Sequence, residues 1–287
     1  MIQAARSSIA TQIAEQQLKK YGHLLKLRTN KETWLDVGCA EGAVTRNVFY
    51  PYIEDRIEKL IAVDKQHNLI QSAKEHNSAE KLIAVDKQHN LIQSAKEHNS
   101  AEKIEYKVVD ITDGEAIAKM RNKFDRIFSS LVLHVIPNTR SLLSNLHTIL
   151  KEDGQMFIIF LTNNYFEEGL HKQYKEEKWL KFKPLQSIFA DYTTNPVMYL
   201  TELLHSTNFK IDVCEYEEIS FTTNNFKDLV LNLCNMYRAW LALPDDLLKQ
   251  FIEGLIEKCR GECTYLGLPE KYEIPHKLLT FVATKLV

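Results

Sequence analysis

The spacing of apolar residues changes along this chain, and each change predicts a different kind of element. Over residues 5–27, Ile9, Ile13, Leu18, Leu24 and Leu25 recur at roughly helical spacing among lysines, glutamates and glutamines. That pattern predicts an amphipathic arm within about residues 1–30. From about residue 31 the apolar residues gather into short runs: Thr33–Val37, Leu60–Val63, Ile104–Val109, Phe124–Ser129 and Gln155–Leu161. Helix-compatible stretches such as Ala43–Tyr50 and Arg140–Lys151 separate them. Alternation of this kind predicts an α/β fold, a parallel sheet covered by helices on both faces. Beyond Leu161 the composition of residues 163–208 and 222–270 is largely helical. Lys210–Tyr216 and Leu278–Lys285 are expected to close the sheet, and the two helical insertions to form a cap over its carboxyl edge.

One strand-helix unit is present twice. Lys59–Glu80 reads KLIAVDKQHNLIQSAKEHNSAE, and Lys81–Glu102 repeats it letter for letter. Solenoids stack three or more such units and tolerate drift between them. Two identical copies therefore point to a recent duplication or an error in the gene model. A single copy fills the slot beside the first strand, leaving the other as an extra edge unit or a surface excursion.

The candidate chemistry lies at strand ends. Asp36-x-Gly38-x-Ala40-x-Gly42 follows the first strand and departs from the dinucleotide fingerprint GxGxxG, with Ala at its second small position and its last glycine one place early. Small residues let the backbone turn tightly against a ligand, and the helix behind them offers free N–H groups to a phosphate or carboxylate. Asp64, or its duplicate Asp86, ends the second strand, where a carboxylate accepts hydrogen bonds from both hydroxyls of a ribose. Asp64 lies 22 residues after Gly42 and is the favoured candidate; Asp86 lies 44 after it. Asp110, in Val109-Asp110-Ile111, follows the third strand and is placed to take an adenine amino group. The bland alternatives are a bare strand-to-helix turn for the glycines and helix capping for the acids.

Composition narrows the partners. A net charge of -2 and an isoelectric point near 6.6 leave no general footprint for nucleic acid. The lysine-rich stretch Lys172–Lys183 carries Glu176 and Glu177 among its lysines and reads as a solvated helix face. Five scattered cysteines fit a reducing compartment, and Cys259 with Cys263 lacks the partners of a zinc site, so no metal is expected. No apolar run approaches the roughly 20 residues of a membrane span, and the expected location is the cytoplasm.

The motifs in order, LDVGCAEG, IAVD, VVDI, FDRIFSSLVLHVIPN and LKEDGQMFIIF, resemble those of the class I methyltransferases. KEEKW, FTTNNFKDL, LPDDLLKQF and HKLLTFVATK narrow the resemblance to the insect juvenile hormone acid methyltransferases and their arthropod relatives, from about Trp34 to the C-terminus. The resemblance implies a Rossmann-like sheet, S-adenosylmethionine as cofactor, and methyl esterification of a small terpenoid acid. It implies a cofactor site made of Asp36, Gly38, Cys39, Gly42, Asp64, Asp110, Ile111 and Ser130. On the acceptor side it implies Gln12 of the arm, His134, Val135 and Trp179, with His134 as the catalytic candidate. The family carries Trp after its Leu-His pair, whereas this chain has Val135. For His134 a structural role held by backbone hydrogen bonds stays open, and for Trp179 and Trp240 so does core packing. The alternatives in function are a methyltransferase of a phenol or amine, a relative that binds the cofactor without turnover, and a nucleic-acid methyltransferase, which the neutral charge disfavours.

Overall fold

The computed structural model describes residues 9–65, 91–182, 195–241, 243–267 and 270–286. Its strands are β1 (Glu32–Val37), β2 (Ile57–Asp64), β3 (Ile104–Val108), β4 (Phe124–Ser130), β5 (Leu150–Asn164), β6 (Phe209–Thr223), β7 (Thr264–Gly267) and β8 (Lys271–Lys285). They join in one sheet of order β3-β2-β1-β4-β5-β8-β6, with β7 beside β8. β1 to β5 pair in parallel, and β7 runs antiparallel to β8. This is the α/β class that the alternating runs predict.

The chain divides into two compact units. The first comprises Met1–Phe160, Thr194–Glu215 and Leu279–Val287; the second comprises Leu161–Thr193 and Tyr216–Leu278.

In the first unit, β1 and β4 are buried almost throughout, as strands covered on both faces must be. Phe128 of β4 stacks on Phe49 at 4.0 Å between ring centroids and meets Trp34 of β1 at 4.8 Å. Full burial of each such ring contributes about 1.5–3 kcal/mol. The N-terminal arm is the helix Ile9–Tyr21, which buries Ile13, Ala14 and Leu18. Its Gln17 accepts a hydrogen bond from Thr280 of β8 at 2.9 Å, tying the arm to the sheet.

The duplication is used in a mixed way. The strand beside β1 comes from the first copy, since Leu60–Val63 pair with Trp34–Val37. The helix between β2 and β3, Leu91–His98, comes from the second copy, and its Ile92 and Ala95 pack with Cys39, Ala62 and Tyr106. Asp86 and the strand copy around it lie outside the described residues.

The second unit holds the helices Tyr165–Tyr174, Glu177–Leu180, Phe226–Met236, Arg238–Leu241 and Asp245–Arg260. Strand occurs at two places within residues 222–270, which were expected to be largely helical. β6 continues to Thr223, and β7, whose Tyr265 pairs with Tyr272 of β8, puts strand at residues 264–267, where helix was expected. From Glu217 onward β6 alternates half-exposed with exposed residues, so its polar composition hides that part of the strand. The helix Pro196–Ser206, part of the first predicted insertion, belongs to the first unit.

Candidate active site

The strand order reverses between β1 and β4, the switch point at which open α/β sheets bind ligands beyond the carboxyl ends of their strands. The loop after β1 is shaped for close approach. Gly38, Ala40 and Gly42 have φ of 79°, 47° and 79°, all in the left-handed region. Glycine adopts it freely, but at Ala40 it stores strain, a recurrent mark of ligand loops. A Cβ on Gly38 would lie 2.3 Å from Val132 of the loop after β4, and one on Gly42 would lie 2.5 Å from the Tyr106 hydroxyl. Both glycines are therefore required by contact as well as by conformation.

The helix behind the loop opens as a π turn, Thr45–Phe49, with the Tyr50 N–H donating to the Thr45 carbonyl. Such turns are frequent at functional sites. Asp36, 2% exposed, accepts the Thr45 hydroxyl at 2.6 Å. Its carboxyl is pushed up to about 7, first by burial and then by the charge of Asp64, against the lowering effect of the Thr45 bond. Asp36 thus braces the turn from within the sheet. Asp64, at the end of β2, accepts the Ala40 N–H at 3.1 Å, which joins two of the predicted residues' loops directly. Cys39 is buried, and burial, then Asp36 and Asp64, hold its thiol far above the normal range, so it lines the loop as an unreactive group.

Asp110 follows β3 and accepts both the N–H and the hydroxyl of Thr112, at 2.8 and 2.7 Å. Partial burial pushes its carboxyl up, but the Thr112 bonds and the charge of Lys65 outweigh this and leave it below the usual range. Ile111 beside it is buried, and its carbonyl accepts the Asn145 side chain at 3.0 Å. At the end of β4, the buried Ser130 hydroxyl finds no hydrogen-bond partner among the described residues. The loops after β1, β2, β3 and β4 thus all carry members of the predicted set.

These features fit S-adenosylmethionine. Left-handed small residues leave the backbone open to an approaching ligand, Asp64 ends β2 with a carboxylate beside that loop, and Ser130 offers an unused buried hydroxyl.

On the acceptor side, Leu133–Val135 forms a 3₁₀ turn directly after β4. His134 is 1% exposed with its ring edge-on to Phe160 at 6.3 Å, and Val135 is half-buried. Burial pushes the His134 imidazole down to about 3. Gln12 lies on the exposed face of the N-terminal helix. Trp179 belongs to the second unit, where it is buried edge-on against Phe251 at 5.2 Å, with its indole N–H lacking a partner among the described residues. The structure therefore places Trp179 as a core residue of that unit. The side chain of Trp240 lies outside what is described. The two C-terminal thiols remain reduced, with Cys259 buried and Cys263 half-buried.

Sequence reasoning missed Tyr106, Thr45 and Leu131. The Tyr106 hydroxyl donates to the Asn99 carbonyl at 2.8 Å while its ring closes on Gly42. A lone aromatic in a strand carries no mark of such a role. Leu131, between Ser130 and the His134 turn, has a φ of 57°, a strained value for leucine.

Fold and site together define a class I, Rossmann-like, S-adenosylmethionine-dependent methyltransferase. Residues 10–212 match the family described as a methyltransferase domain, and the chain belongs to that family. It is similar to the juvenile hormone acid O-methyltransferase of Bombyx mori, 19% identical over 85% of this chain and 79% of that protein. It is also similar to the enzyme of the same name from Drosophila melanogaster, 23% identical over 93% of this chain and 86% of that protein. A Bacillus halodurans structure assigned to the methyltransferases shares the fold, with a TM-score of 0.52 and 16% identity over 94% of this chain and 99% of that one. No helix among the described residues is long and apolar enough to cross a membrane.

Proposed function

We propose that this enzyme transfers a methyl group to the carboxylate of a small apolar acid of the farnesoic or juvenile hormone acid type, forming a methyl ester. The observation that carries this reading is the burial of His134, 1% exposed on the turn after β4. An imidazole held near 3 is neutral at physiological pH and a very weak base, unsuited to taking the proton of a phenol or an ammonium. A carboxylic acid needs no such base, because it is ionised at neutral pH and its oxygen is already the nucleophile.

S-adenosylmethionine supplies, when bound, a methyl group on a positively charged sulfur. The task left to the protein is orientation and exclusion of water. His134, seated on the turn that leaves β4, is positioned to orient the acceptor by hydrogen bonding without removing a proton. As the carboxylate attacks, opposite charges cancel, so a dry, weakly polar site favours the reaction. In-line alignment contributes several kcal/mol as prepaid orientation. The two juvenile hormone acid O-methyltransferases support the choice of acceptor. Val135, where the resemblance leads one to expect Trp, leaves up to roughly 150–250 Å² less aromatic surface for the ligand, so the acceptor pocket is wider beside the carboxylate.

Methyl transfer from labelled cofactor to a panel of terpenoid acids, fatty acids, phenols and amines tests the reading. Labelled acids support it. Labelled phenols or amines with unlabelled acids refute it.

A further inference from the structure

At the amino-terminal end of the parallel strands, opposite the loops described above, the first unit contains a cavity. It has a volume of about 490 Å³ and is lined by Lys26, Arg28, Arg126, Glu152, Asp153 and Thr284. Arg126, near the start of β4, is 1% exposed. Its guanidinium donates to the carbonyls of Asp125, at 2.7 Å, and Lys26, and pairs with Glu32 at 3.1 Å. A guanidinium carries five N–H donors, and the buried Nε of Arg126 finds no acceptor among the described residues.

Glu152 and Asp153 line the cavity, while three acids beside it, Glu32, Asp125 and Asp212, already hold partners. Glu32 accepts the Arg28 N–H and the Trp34 indole, each at 2.9 Å, besides its pair with Arg126. Asp125 takes the Thr33 N–H at 2.9 Å, Lys151 at 2.7 Å and Arg28 at 3.3 Å. Asp212 takes Gln155 at 3.0 Å and the Thr284 hydroxyl. A buried donor left without an acceptor is costly, and a ligand oxygen removes that cost. The rim adds two cations that also face acids, Lys26, 66% exposed and 3.7 Å from Asp212, and Arg28, 38% exposed and 3.3 Å from Asp125.

We propose that this cavity is an oxyanion site, in which one oxygen of a phosphate or carboxylate group accepts from Arg126 Nε and the charge is met by Lys26 and Arg28. Arginine suits this task because it stays charged when buried and presents its donors in a fixed plane. The site is separate from the cofactor loops and independent of the acceptor assignment.

Calorimetry on the full chain with inorganic phosphate, at ionic strength held constant with chloride, tests it. The expected result is one saturable site whose affinity changes less than twofold when S-adenosylmethionine is added. Lys26→Gln and Arg28→Gln should each weaken it at least fivefold, whereas Glu152→Gln, which removes a rim carboxylate, should strengthen it. The Lys26 side chain is 66% exposed and pairs with Asp212 at 3.7 Å, so urea midpoints on its variant separate a loss of binding from a loss of stability. Heats that never saturate, or an affinity unmoved by Lys26→Gln and Glu152→Gln, overturn the proposal.

Discussion

Asp64 Oδ2 accepts the backbone N–H of Ala40 at 3.1 Å, so the acid that ends β2 also holds the strained residue of the loop after β1. Asp64→Ala removes this tie and, in the proposed cofactor site, the acceptor for the ribose hydroxyls. S-adenosylmethionine affinity should fall tenfold or more, about 1.4 kcal/mol. Asp64→Asn, which keeps an acceptor for Ala40, should retain the melting temperature better while still losing affinity. Calorimetry and thermal unfolding separate the two effects. Wild-type affinity in Asp64→Ala would remove Asp64 from the cofactor site.

Gly38 meets Val132 where a Cβ would lie 2.3 Å away, at a φ of 79°. Gly38→Ala should therefore cost about 1–3 kcal/mol of stability and weaken cofactor binding. Adding Val132→Ala relieves the contact but not the backbone strain, so recovery in urea unfolding should be partial. Full recovery would show that conformation is unimportant there.

The strand-turn-helix opening was legible because glycines cannot be hidden among apolar runs: Gly38 and Gly42 stand directly after the buried residues of β1. The preference for Asp64 over Asp86 rested on spacing alone. The pairing of a first-copy strand with a second-copy helix was beyond reach, since Ile70 and Ala73 are the same letters as Ile92 and Ala95. β6 escaped full delineation because Glu215, Glu217, Thr222 and Thr223 fill a half-exposed strand that reads as irregular. The left-handed Leu131 leaves no compositional trace, because a positive φ in leucine is imposed by tertiary packing.

His134 and Asp36 pull stability in opposite directions with pH. The folded-state imidazole, near 3, lies below its unfolded value of 6.5, so its contribution is full above 6.5 and is lost as pH falls toward 3. The folded-state Asp36 carboxyl, near 7, lies above its unfolded 3.8, so its contribution is full below 3.8 and is lost as pH rises through 7. The difference between wild type and His134→Phe isolates the histidine. Measured by urea unfolding, the wild type should lose ground to the variant as pH drops from 7.5 to about 5. A constant difference would mean that His134 is not buried in its neutral form.

Deleting Lys81–Glu102 leaves one strand and one helix of identical sequence, with Asp64 still 22 residues after Gly42. Every core contact made by Ile92 and Ala95 is then available to Ile70 and Ala73. The shortened chain should fold, bind S-adenosylmethionine and melt no lower than the full chain. A large fall in melting temperature would show that Ile70 and Ala73 do not take over those contacts.

The most direct measurement of the central claim is mass spectrometry of the product formed from farnesoic acid and methyl-labelled S-adenosylmethionine. The account predicts a labelled methyl ester, whose rate of formation does not fall between pH 8 and 6 through protonation of His134. Absence of any ester, together with labelled product from a phenol or amine under the same conditions, would contradict it.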